Sequence, residues 1–160
     1  MKAHNKIPFI KSHFILVNFL CLIAGCVGAQ FTETAPIRSQ IGEQHAKMTE
    51  LMATAERDYL EKTYLVKNLG ATAQPDVQTQ LHDQHAYLGS LIENMKVLRE
   101  NLDISKANIM KLTKGKTQIS SKDPAWNPQQ SFIQSFNTNM EMFNKALANY
   151  SRESTKLVLS

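Results

Sequence analysis

His82 and His85 stand three residues apart, the spacing that brings two imidazoles onto one helix face within reach of a single metal ion. His45 is the only other histidine beyond residue 13. In an antiparallel hairpin turning near residue 73, His82 falls opposite about residue 64 and His45 opposite about residue 101, roughly 28 Å apart. No Glu-x-x-His pair of the di-iron bundle kind accompanies them. We therefore expect surface and seam-edge histidines and no metal or other cofactor, with His82 and His85 as the only metal candidates. Glu56, Asp58 and Glu61 are expected to be a solvated acidic face rather than an acid/base pair. There is no His-Glu-x-x-His, no Gly-x-Ser-x-Gly, no Cys-x-x-Cys-His and no phosphate-binding glycine loop, and Ser120-Ser121-Lys122 lacks a motif around it. The expectation is a protein that is not an enzyme.

Lys106, Lys111, Lys114, Lys116 and Lys122 follow one another with no acid until Asp123. Cations at a helix C-terminus complement its dipole, and that accounts for part of the run. The functional reading is contact with an anionic surface, either lipid headgroups or a cell-wall polymer. Trp126, the one tryptophan, is a staple over the start of a helix or a partner anchor. The stripe Phe136, Met140, Phe143, Tyr150 reads as core, with a partner-binding face as the alternative. Asn149-Tyr150-Ser151 has the form of a glycosylation acceptor, which matters only in a eukaryotic secreted protein.

The formal charge of +4 is unevenly placed. Lys2, Lys6 and Lys11 precede residue 26 and no acid does, so the chain from Cys26 onward holds 15 Lys+Arg against 14 Asp+Glu. Without the front, net charge gives no reason to expect nucleic acid. The front has the order of a secretory signal: three lysines, an apolar run from Phe14 to Ile23, then small residues. The run is shorter than the roughly 20 apolar residues of a membrane span, although an uncleaved anchor is the alternative.

Two cleavage sites are present. Val27-Gly28-Ala29 suits an ordinary signal peptidase, with release before Gln30. Ile23-Ala24-Gly25-Cys26 resembles the lipobox of bacterial lipoproteins: an aliphatic residue, two small ones, and a cysteine. The resemblance covers the first 26 residues. It implies a signal peptide over 1–25, lipidation of Cys26 through a thioether, a tether over 26–33, and a membrane held through the acyl chains. Val27 stands where aspartate signals inner-membrane retention in Gram-negative lipoproteins, so the resemblance implies the outer membrane. The chain ends Leu157-Val158-Leu159-Ser160, without the terminal lysine that joins Braun-type lipoproteins to peptidoglycan, and that function is not carried over.

The elements that must hold these residues are three long helices, at about 34–69, 75–114 and 128–156, making one helical domain over 34–160. The central one is the clearest. Written in sevens, Leu81, Leu88, Met95, Leu102 and Ile109 fall in one column and Val77, Gln84, Leu91, Leu98, Ser105 and Leu112 in the other. Helix 1 starts with Thr34 as cap and Pro36 in its first turn, and its columns are Ile41, Met48, Ala55, Leu69 and His45, Met52, Tyr59, Val66. Thr117 to Asn127 is the longest loop. Asn127-Pro128-Gln129-Gln130 then resembles a capping box, and Phe136, Phe143, Tyr150 and Leu157 form the deeper column of helix 3. The expected fold is all-α: an elongated antiparallel hairpin with a third helix laid on it, a coiled-coil-like three-helix bundle. The functional expectation is an exported, envelope-tethered interaction or scaffold protein with a protein partner or self-association, an accessory subunit of an envelope or secretion assembly. The alternative is a soluble periplasmic or secreted binding or chaperone-like module, released after Ala29.

Overall fold

A computed structural model describes residues 29–157. The expected signal, the lipobox and Cys26 lie outside the described residues. The chain is an all-α three-helix bundle with one very small sheet: β1 (Phe31–Glu33), α1 (Thr34–Gly70), α2 (Pro75–Leu112), β2 (Gln118–Ser120) and α3 (Trp126–Lys156). α1 and α2 are joined by a four-residue link and run antiparallel, and α3 returns along α2.

The heptad column of α2 is the centre of the core. Leu81, Leu88, Met95, Leu102 and Ile109 are all buried, as are Leu91, Leu98 and Ser105 from the second column. Fully burying an aliphatic side chain contributes about 1.5–3 kcal/mol, so the apolar column outweighs the polar interruptions at Gln84 and Ser105. α1 contributes Ile37, Ile41, Met48, Met52 and Ala55, and α3 contributes Phe136, Phe143, Ala146, Tyr150 and Leu157. The aromatic stripe of α3 is thus core, which removes it as a face for partners.

The bundle is complete over only part of its length. No residue from Glu56 to Gln80 is buried. α3 reaches α1 at Asp58 and ends at Lys156, so the rest of the hairpin is two helices lying side by side. Two helices cannot enclose an interior, and Leu60, Tyr64, Leu69 and Val77 are accordingly exposed. At Gly89 the helices come so close that a Cβ would lie 2.7 Å from the Tyr59 hydroxyl. A glycine is required there unless Tyr59 moves.

Several expected boundaries shift for physical reasons. The proposed tether does not extend to residue 33, because Phe31, Thr32 and Glu33 pair antiparallel with Ser120, Ile119 and Gln118. The expected long loop therefore contains a strand. Thr34 does not cap α1. Its N–H donates to the Thr117 carbonyl at 3.0 Å and its hydroxyl donates to the Lys116 carbonyl, fastening the start of α1 to the end of α2. Asn127 is not the cap of α3. The helix begins one residue earlier, and Asp123 serves the turn before it: its carboxylate accepts the Ala125 N–H at 2.8 Å and its carbonyl accepts the Trp126 N–H at 2.9 Å. Gln129 is fully buried with no hydrogen-bond partner for its side chain among the described residues, which costs about 1–3 kcal/mol. Past α2, Gly115 adopts φ +72°, the left-handed geometry that turns the chain toward β2.

Candidate functional site

One end of the bundle, the base, gathers most of what the sequence marked. Gln30 is tied to Ser121 in both directions, its N–H donating to the Ser121 hydroxyl at 3.1 Å and its carbonyl accepting the Ser121 N–H at 2.7 Å. The β1–β2 pair follows, and Ile119 at its middle is fully buried. The point where the chain enters the fold is therefore pinned beside Lys122, at the loop that follows α2. An open groove of about 500 Å³ lies here, between Glu33, Arg38, Lys116 and Gln118.

The five lysines do not act as one patch. Lys106 sits higher on α2, where its ammonium donates to Nδ1 of His45 at 3.0 Å. With that lone pair occupied, His45 Nε2–H is left to donate to the Asp103 carboxylate. Lys116 pairs with Asp123 at 2.6 Å. The hydrogen bond from Lys116, with a second from the Ala125 N–H, holds the Asp123 carboxyl below its ordinary range. Lys111, Lys114 and Lys122 are exposed, and none of them takes part in an ion pair among the described residues. Trp126, half-buried as the first residue of α3, stands at the same end. Phe31 is 64% exposed on β1.

Charge divides along the long axis. Residues 29–42 and 104–135, which surround the base, hold Arg38 and the five lysines against Glu33 and Asp123. Residues 56–87, the hairpin tip, with residues 150–157 of α3 that reach Asp58, hold Glu56, Asp58, Glu61, Asp76, Asp83 and Glu153 against Arg57, Lys62, Lys67, Arg152 and Lys156. The base carries the excess of positive charge and the tip is close to neutral.

The histidines separate as the hairpin geometry requires. His45 meets residues 103 and 106 of α2, about 30 Å along the helix from His82. His82 is exposed. His85 stacks on Tyr59 with ring centroids 4.8 Å apart, and its Nε2 lies 2.9 Å from the Thr63 hydroxyl. That hydroxyl gives its only proton to the Tyr59 carbonyl, so His85 Nε2–H is the donor. Burial, and then His82 nearby, push the His85 pKa down. Among the described residues, no three His, Cys, Asp or Glu side chains are grouped as a metal site would need.

Asp58 is the residue that sequence reasoning placed wrongly. It belongs to no solvated acidic face but clasps α1 to α3, accepting from the Tyr150 hydroxyl at 2.8 Å and from the Ser154 hydroxyl at 2.5 Å. Lys62 lies 3.8 Å from its other oxygen. Burial, and then the hydrogen bond to Asp58, push the Tyr150 phenol well above its usual range. A raised folded-state pKa means that this contribution is intact below the unfolded pKa of about 10 and is lost as pH rises above it. Stability should therefore fall by up to about 1.4 kcal/mol per pH unit above pH 10, and Tyr150→Phe should flatten that slope. Urea titrations of both proteins across the alkaline range measure the difference.

No protein-family model matches the chain, and no curated protein or solved structure matches it either. Among the described residues, no helix is long and apolar enough to cross a membrane.

Proposed function

We propose that this chain is a non-enzymatic interaction protein of the cell envelope, a lipoprotein acylated at Cys26 that displays a helical hairpin away from the membrane. The observation that carries this reading is the polarity of the fold. The chain enters at the base, where Gln30 and Phe31–Glu33 are tied to the loop after α2. The hairpin tip is at the opposite end of α1, about 55 Å away for 37 residues. A lipid at Cys26 would hold the base four residues from the bilayer and leave the tip free. There Leu60, Tyr64, Leu69 and Val77 stand exposed on a pair of helices that no third helix covers. Leu60 and Tyr64 lie one turn apart on one face of α1, and placing that exposed apolar pair far from the tether suits an accessory subunit of an envelope or secretion assembly. The outer membrane is the proposed location, on the strength of Val27 after the cysteine.

The test is crosslinking in intact cells from a photoreactive residue at Tyr64, compared with one at Glu141 on the outer face of α3. A discrete product from position 64 alone supports a tip-directed partner. Products from neither position, in cells that retain the protein in the membrane, would remove the display reading. The alternative of a released module with clients on α3 is weakened, because Phe136, Phe143 and Tyr150 are buried in the core.

A further inference from the structure

We propose that the base of the bundle docks on anionic phospholipid headgroups, with Lys111, Lys114 and Lys122 meeting the phosphates and Phe31 entering the interface. The proposal deepens the tethered reading and rests on it for orientation. Lys106 and Lys116 are engaged, on His45 and Asp123, and contribute little to an outside partner. The remaining three lysines are exposed on the last turn of α2, just past it, and on the loop whose Ser121 holds Gln30, and Arg38 lines the groove at the same end. Three residues lie between Cys26 and Gln30, so an acylated Cys26 would keep Gln30, four Cα steps on, within roughly 14 Å of the lipid surface even with the link fully extended. That upper limit is under two Debye lengths at physiological salt, about 8 Å each, so the base stays within reach of the surface charge. The short tether alone would leave the bundle free to tilt. The excess positive charge is concentrated at the base, so an anionic surface attracts that end more than the near-neutral tip and opposes tilting. Phe31 is aromatic, 64% exposed, and next to the entry point, the character of a residue that settles at a membrane interface. Lipid is favoured over a cell-wall polymer because the tether brings this face to the bilayer first.

The test uses the full chain with Cys26→Ser, so that no acyl chain contributes. Co-sedimentation is measured with vesicles of phosphatidylcholine alone and of equal parts phosphatidylcholine and phosphatidylglycerol. The quantity read is the ratio of the two partition coefficients, because the leader with its three lysines is common to every variant. Adding Lys111→Gln, Lys114→Gln and Lys122→Gln should lower that ratio about 100-fold, at about fivefold for each lysine. Lys47→Gln, Lys67→Gln and Lys145→Gln together remove the same charge elsewhere and should leave it within about twofold of the parent. All these positions are exposed, and circular dichroism checks that the helices persist. Quenching of Trp126 by headgroup-labelled lipid should appear with the parent and vanish with the base triple. Equal loss in both triples, or loss in neither, overturns the proposal, and so does a preference for isolated peptidoglycan over anionic vesicles. The mature N-terminus tests the tether separately. Base-specific binding in a chain whose native form starts at Gln30 would support headgroup docking while removing the lipid anchor.

Discussion

Replacing Phe143 with alanine is expected to cost the bundle about 3–5 kcal/mol. Phe143 is fully buried on α3, in one column with Phe136 and Tyr150. It belongs to the single core cluster to which α1, α2 and α3 all contribute, so removing the ring leaves a cavity in the core that holds the helices together. Small domains hold only about 5–15 kcal/mol in total, so the variant should unfold at much lower urea or fail to accumulate. Phe31→Ala, at an exposed position, should stay within about 0.5 kcal/mol of the parent. Urea denaturation followed by helical circular dichroism gives both values. A loss below about 1 kcal/mol for Phe143→Ala would mean that α3 is only loosely laid on the hairpin, and the closed bundle would have to be abandoned.

The second large effect concerns location rather than stability. Cys26→Ser should move the protein out of the membrane fraction of its native cell. In the proposed lipoprotein the Cys26 thiol would take the diacylglyceryl chain as a thioether, and serine's hydroxyl would not substitute for it. Each buried CH₂ contributes about 0.8 kcal/mol, so losing two or three acyl chains removes far more than the lysines of the base can replace. The fold should be untouched, since the core lies between Ile37 and Leu157. Fractionation followed by immunoblotting reads the outcome, and undiminished membrane retention of the serine variant would point to the leader itself as the anchor.

How far the molecule was legible in its sequence follows from the range of each interaction. The α2 column was readable because Leu81, Leu88, Met95, Leu102 and Ile109 keep a spacing near 3.5 over five heptads, and each is buried. The same holds for Phe136, Phe143, Tyr150 and Leu157 on α3. Leu69 was expected to continue the column of α1 and is exposed instead, because periodicity does not say where a neighbouring helix ends. The β1–β2 pair was invisible. Three residues are too few for an alternating pattern, and the partners lie more than 80 residues apart. Asp58 was misread for a similar reason. Beside Glu56 and Glu61 it looks solvated, and its partners Tyr150 and Ser154 lie 92 and 96 residues further along the chain. The lysine run was evident, but its division into engaged and free members depends on His45 and Asp123. Its position beside the chain entry follows from the pairing of residues 30–34 with 116–121.

The most direct measurement is the mass of the mature N-terminal peptide, taken separately from membrane and soluble fractions of the native cell. A peptide from the membrane fraction beginning at Cys26 and carrying acyl chains is the expected result. A peptide beginning at unmodified Gln30 in the soluble fraction would contradict it and leave a released helical module in its place.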